Sequence, residues 1–288
     1  MRAKSPPQYM TGVIAPSREP CDDCRRMVNG MLPREHGAYG QLLFPLVTAV
    51  AMGRPTVPAA ALIATATAVF LTHEPLLVLS GARGPRAQRE DRDRAWRWLW
   101  GMLGFAVVAG VLAWWTMPIA SRWTFAVPIA GGLVAASWSL RGRERTTAGE
   151  LAAGIALSLA AFPVGVAAGL SLPVAAGCVA AFVTGTVTAT VSVRALIGRF
   201  RGVATGPAAP GLAALAGLAI ILVSLNALLA SEGLIHRGGF WGALPVTLVA
   251  VALAFIAPAP KFLRRVGWSL VAATAVASLV LVVSGHIG

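Results

Sequence analysis

The side chains of this chain that could do chemistry sit at the doorsteps of long apolar runs. Pro33-Arg34-Glu35-His36-Gly37-Ala38-Tyr39-Gly40 sets a carboxylate beside an imidazole, directly before Gln41-Leu42-Leu43-Phe44-Pro45. His73-Glu74 repeats the acid–imidazole pairing inside an apolar stretch and is followed by Pro75. Glu150 stands just inside a further apolar stretch, and Arg194 stands where another one ends. A positioned carboxylate or imidazole moves protons, and a guanidinium grips a phosphate or carboxylate through two parallel hydrogen bonds. Glu35, His36 and Glu74 are therefore the candidate catalytic acid–base groups. His73, Arg83, Glu150, Arg194 and Arg199 are the candidate substrate-binding groups. In this reading Arg194 and Arg199 hold an anionic head, while Arg83, Arg86 and Arg199 make the field that draws it in. An ionisable side chain at the centre of a membrane helix costs about 2.5–3.5 kcal/mol on insertion scales, so such groups face a partner or water. The structural alternative is that Glu74 or Glu150 pairs with Arg194 and locks the fold.

Other constellations carry less. Glu90, Asp91 and Asp93 offer the oxygen ligands that Mg²⁺ takes, but arginines from Arg86 to Arg97 interleave with them and make a self-neutralising, solvated loop. Cys21 and Cys24 form a lone Cys-Asp-Asp-Cys without the second pair of a structural zinc site, and Cys178 lies in an apolar run. Neither a metal nor another cofactor is expected.

The elements that must position these groups are membrane helices. The chain has 288 residues, 57% hydrophobic and 12% charged, with mean hydropathy +0.72. A soluble domain carries about twice that charged fraction. Apolar runs of some 20 residues recur from residue 37 onward, each able to cross about 30 Å of hydrocarbon as a helix. Backbone groups in lipid must be paired within the segment, and unbroken rather than alternating apolar runs exclude a barrel. The runs predict nine transmembrane helices over about 37–53, 58–81, 95–117, 123–140, 148–169, 172–193, 210–231, 239–258 and 266–286. The domain division is a flexible cytoplasmic tail, residues 1–32, punctuated by Pro6, Pro7, Pro16 and Pro20, and a membrane domain, residues 33–288. No signal peptide is visible at the start of the chain.

The net charge of +13 raises nucleic acid as a partner, and its distribution argues against that. With nine spans, 21 of the 24 Lys and Arg residues fall on one side, and only Arg54, Arg122 and Arg237 on the other. Lysine and arginine accumulate on cytoplasmic loops, which puts the N-terminus inside and the C-terminus outside. The basic surface then meets anionic lipid headgroups. Trp96, Trp98 and Trp100 open the third span, and Trp114 and Trp115 close it, as interfacial anchors do. The sixth span is rich in small and hydroxyl residues, suited to close packing or a polar lining. Glu35 with Pro45, and Glu150 with Pro163, hint at a parallel repeat of four spans plus four, and such repeats place sites between the halves.

Three local patterns resemble the YwiC-like family of bacterial integral membrane proteins. They are Pro33-Arg34-Glu35-His36-Gly37-Ala38-Tyr39 leading to Phe44-Pro45, then Glu74-Pro75-Leu76-Leu77 before an Arg-rich loop and the Trp-rich span entry, and then Glu150-Leu151 with Pro163 followed by Val193-Arg194. The resemblance covers roughly residues 31–286 and implies a multi-pass protein of the bacterial inner membrane, without implying a reaction. The nine-span layout in turn looks like the UbiA-type prenyltransferase fold, a 4+4+1 bundle whose two Asp-rich motifs hold Mg²⁺ and a prenyl diphosphate. This sequence departs from that pattern at both places, with His73-Glu74 after the second span and only arginines after the sixth.

The expectation is an all-α polytopic membrane protein with a cytoplasmic-side pocket for an isoprenoid- or lipid-like anionic ligand, at most a divergent, Mg-independent transferase. A small-anion transporter and a non-catalytic membrane scaffold are the alternatives.

Overall fold

The computed structural model describes Met31 and residues 36–143, 146–200, 212–256 and 258–287. Residues 1–32 and residues 33–288 form separate units, and apart from Met31 the described residues belong to the second.

The second unit is helical throughout, with no strand among the described residues. Its α-helices are α1 (His36–Met52), α2 (Val57–Leu71), α3 (His73–Leu79), α4 (Pro85–Glu90), α5 (Arg92–Thr116) and α6 (Ala126–Leu140). They continue as α7 (Thr147–Leu159), α8 (Ala161–Ala167), α9 (Leu172–Phe200), α10 (Leu212–Ser231), α11 (Arg237–Ile256) and α12 (Leu263–Ile287), with 3₁₀ turns at Ile119–Phe125 and Pro260–Phe262. Among the described residues, eight segments are long and apolar enough to cross a membrane: Val57–Leu79, Arg92–Thr116, Ile119–Leu140, Thr147–Ala167, Leu172–Arg199, Ala214–Ser231, Arg237–Ile256 and Leu263–Ile287. The first expected span is a shorter apolar helix, Gly37–Met52.

Two spans are each made of two helices, and proline is the reason. Pro75 and Pro163 lack the N–H that would reach Leu71 and Leu159, and their rings press on those carbonyls. The helix breaks three residues upstream in each case, at Thr72 and at Ala160. Pro45 and Pro245 lie within α1 and α11.

α9 is the centre of the unit. Its span is 50% buried, and it packs most extensively on α11 and also against α7, α8, α10 and α1. Glycine makes the α9–α11 contact possible: a Cβ on Gly239 would stand 2.7 Å from the backbone oxygen of Gly177. Hydroxyls complete it, since Ser192 donates to the Ala250 carbonyl at 2.6 Å, and small or polar residues at helix contacts are what lipid-embedded packing uses. The turn after α1 docks on the end of α8. Thr56 O–H donates to the Ala167 carbonyl at 2.8 Å and Arg54 N–H to Ala168 at 2.9 Å, filling two orphan acceptors. A Cβ on Gly53 would meet Ala168 O at 2.5 Å, so only glycine fits that approach.

Candidate functional site

The residues singled out from the sequence resolve into two acid–guanidinium pairs. The first is local. After α3 the chain turns through Gly81 (φ +78°) and Gly84 (φ +96°), a conformation that glycine reaches without a Cβ clash. The turn returns Arg83 to the helix it has just left, nine residues after Glu74. Arg83 Nε donates to Glu74 Oε1 at 2.8 Å and Nη2 to Oε2 at 2.5 Å, a two-point grip. Gln88 of α4 donates to the Leu79 carbonyl at 2.7 Å and fastens the same corner. Glu74 is only 4% exposed.

The second pair joins elements far apart in sequence. Thr146 caps α7 by accepting from Gly149 N–H at 3.1 Å, which places Glu150 in the first turn. Arg194 of α9 meets it, Nε donating to Glu150 Oε2 at 2.7 Å and Nη2 to Oε1. Here the side chains are 31% exposed for Arg194 and 43% for Glu150, against 26% for Arg83 and 5% for Glu74. The two pairs share chemistry and differ in their access to the surroundings.

The start of α1 lies between them. Tyr39 packs edge-on against Phe70 of α2, ring centres 5.1 Å apart, within the electrostatic reach of Glu74. Gln41 lies on the other flank: a Cβ on Gly154, one turn beyond Glu150, would stand 3.5 Å from Gln41 Oε1 and 2.5 Å from Thr186 Cγ2. Positions 39 and 41 are about 200° apart around a helix. Tyr39 thus faces α2 and Gln41 faces α7 from different sides of α1.

The remaining candidates fall as follows. Glu35 lies outside the described residues, as do Cys21 and Cys24 of the tail. His36 opens α1, its side chain likewise outside them. His73 is exposed at the start of α3. Arg199 Nη1 donates to the Ala254 carbonyl at 3.1 Å, an acceptor in the last turn of α11 that has no partner within its own helix. Arg199 thus caps a helix. Arg86 Nε pairs with Glu90 Oε1 at 2.8 Å on an exposed loop helix, and no group of three His, Cys, Asp or Glu side chains converges among the described residues.

Sequence reasoning passed over Gln41 and the partnership of Asn226 with Thr184, whose Nδ2–Oγ1 distance is 2.8 Å. The available signal for each was an amide inside an apolar run.

Residues 32–165 match the family model described as YwiC-like protein. That range holds the Glu74–Arg83 pair and Glu150 and ends before Arg194. No curated protein and no solved structure matches the chain.

Proposed function

We propose that this chain is a multi-pass membrane protein of the YwiC-like type that binds an isoprenoid- or lipid-like ligand by its anionic head at Arg194. The observation that carries the reading is the half-exposed, two-point Glu150–Arg194 pair. A phosphate or carboxylate presents the same pair of acceptor oxygens as Glu150 and can take its place on the guanidinium. The displaced Glu150, 43% exposed, is left in contact with solvent or headgroups, so exchange costs little. At Glu74 the same exchange would strand a buried carboxylate at a cost of several kcal/mol. The Glu74–Arg83 pair accordingly holds α3 to its turn, and Arg194 is the anion-binding group.

The finer reading adds α1 as a ninth crossing, giving a UbiA-like 4+4+1 arrangement with the N-terminus in the cytoplasm and the C-terminus outside. The split of 21 basic residues against 3 supports that orientation. Acid–base chemistry by Glu35 and His36 belongs to this finer reading.

Native mass spectrometry of the gently solubilised protein tests the proposal. A copurifying isoprenoid or lipid phosphate is expected, one bound copy of which is lost in Arg194→Ala and retained in Arg86→Ala and in Arg237→Ala. A protein that retains no such adduct and instead drives anion uptake in liposomes would be a permease, and the proposal would fall.

A further inference from the structure

At the opposite end of α11 from the Arg199 cap, a groove of about 550 Å³ opens between the start of α11 and the end of α12. That volume lies within the range of about 300–1,000 Å³ common to ligand clefts. Glycines create it. A Cβ on Gly238 would stand 2.3 Å from Ser284 Oγ, and one on Gly242 would stand 2.6 Å from Leu281 Cγ, so α11 and α12 meet almost backbone to side chain. The larger side chains are displaced to the margins, where Trp241 (57% exposed), Leu279 and Val283 form apolar walls.

The mouth of the groove is polar and of one sign. His236 and Arg237 line it, Arg237 is exposed, and no carboxylate lies among its described lining residues. His236 Nδ1 accepts from Gly238 N–H at 3.1 Å, which leaves the proton of the neutral ring on Nε2 as a donor. Trp241 lies near the start of a helix long and apolar enough to cross a membrane, where interfacial tryptophans gather. In the nine-span arrangement proposed above, Arg237 is one of three Lys or Arg residues on this face, so its position beside an apolar groove is not part of a general basic surface.

We propose that this groove binds one anionic phospholipid of the outer leaflet, its phosphodiester held by Arg237 and His236 Nε2–H and an acyl chain laid against Trp241, Leu279 and Val283. A charged donor and a neutral donor above an apolar trough complement a lipid whose head is anionic and whose tail is saturated hydrocarbon. A zwitterionic headgroup would bring its own cation toward Arg237 and is disfavoured. This site is separate from the Arg194 site, and its placement in the outer leaflet rests on the nine-span, N-inside orientation proposed above.

The test uses the full chain in detergent, titrated with phosphatidylglycerol or phosphatidylcholine and read by native mass spectrometry. Arg237→Ala is expected to weaken phosphatidylglycerol binding about tenfold. Arg54→Ala, a cation on the same face away from the groove, should leave it unchanged. Val283→Trp fills the trough at a position already 56% exposed and should weaken binding comparably without unfolding the bundle. A phosphatidylglycerol bearing a photoreactive acyl chain should label the peptide that contains Leu279 and Val283. Equal binding by Arg237→Ala and Arg54→Ala, equal binding of the two lipids, or labelling confined to other helices would each overturn the proposal.

Discussion

Removing Arg83 puts the contrast between the two ion pairs to the test. In Arg83→Ala the Glu74 carboxylate loses donors at 2.8 and 2.5 Å while its residue keeps only 4% exposure. Two unit charges 4 Å apart interact by about 4 kcal/mol at an effective dielectric constant near 20, and removing one partner of a buried pair typically costs about 3–5 kcal/mol. At roughly 2–4 °C per kcal/mol for a chain of this size, the melting temperature should fall by roughly 6–20 °C. Arg194→Ala removes a pair of the same geometry whose members are 31% and 43% exposed. Such pairs contribute about 0–1 kcal/mol, which corresponds to a few degrees at most.

The assay is thermal unfolding in detergent, followed by the fluorescence of the nine tryptophans. A third variant, Glu74→Leu with Arg83→Leu, removes both charges and should recover most of the stability lost in Arg83→Ala, because no buried charge is left without a partner. Equal small shifts in Arg83→Ala and Arg194→Ala would refute the reasoning. So would a double variant less stable than Arg83→Ala, since the loss would then stem from packing and not from a stranded carboxylate.

Three further outcomes follow from particular contacts. Gly239→Val should abolish the folded state seen by size-exclusion chromatography, because its Cβ would meet the Gly177 backbone at 2.7 Å, whereas Gly132→Ala, whose added Cβ meets open space, should leave the profile unchanged. Arg199→Ala should cost about 0.5–1.5 kcal/mol through loss of the bond to Ala254 and leave lipid retention at Arg194 intact; loss of the adduct at full stability would return Arg199 to the ligand site. A double-mutant cycle of Thr184→Val with Asn226→Leu should give a coupling of about 0.6 kcal/mol and not above about 1.7, the range for hydrogen bonds between membrane helices, measured by unfolding in detergent or bicelles.

Much of the fold was legible because lipid imposes a simple requirement: twenty apolar residues in a row must be a helix. The expected spans fall on the observed helices, with the first the exception in length. At 17 residues α1 is about 25 Å long, and the apolar run that suggested a crossing is bounded by Gly53-Arg54-Pro55, where the chain folds down onto α8. The kinks at Thr72 and Ala160 follow from prolines visible in the sequence. The exact break, three residues before each, follows from the carbonyl that the ring displaces.

Side-chain partners were harder to read, for a definable reason. Which cation meets Glu74 is set by the turn through Gly81 and Gly84, and no hydropathy pattern encodes that turn. Arg83 reads as one of six arginines in a charged loop until the positive φ values return it to α3. The structural alternative of a lock between an acid and Arg194 was the informative one, and the coordinates assign that acid as Glu150. Even a correct list of pairs would have left their roles open. Glu74 with Arg83 and Glu150 with Arg194 are interchangeable as letters and nearly so in geometry. What separates them is the 5% and 43% exposure of the two carboxylates, which neighbours from other helices determine. An acid that cannot give up its partner without being stranded in the interior is confined to holding the fold together. One that can is available to an incoming anion, and on that difference the proposal that Arg194 binds the ligand rests.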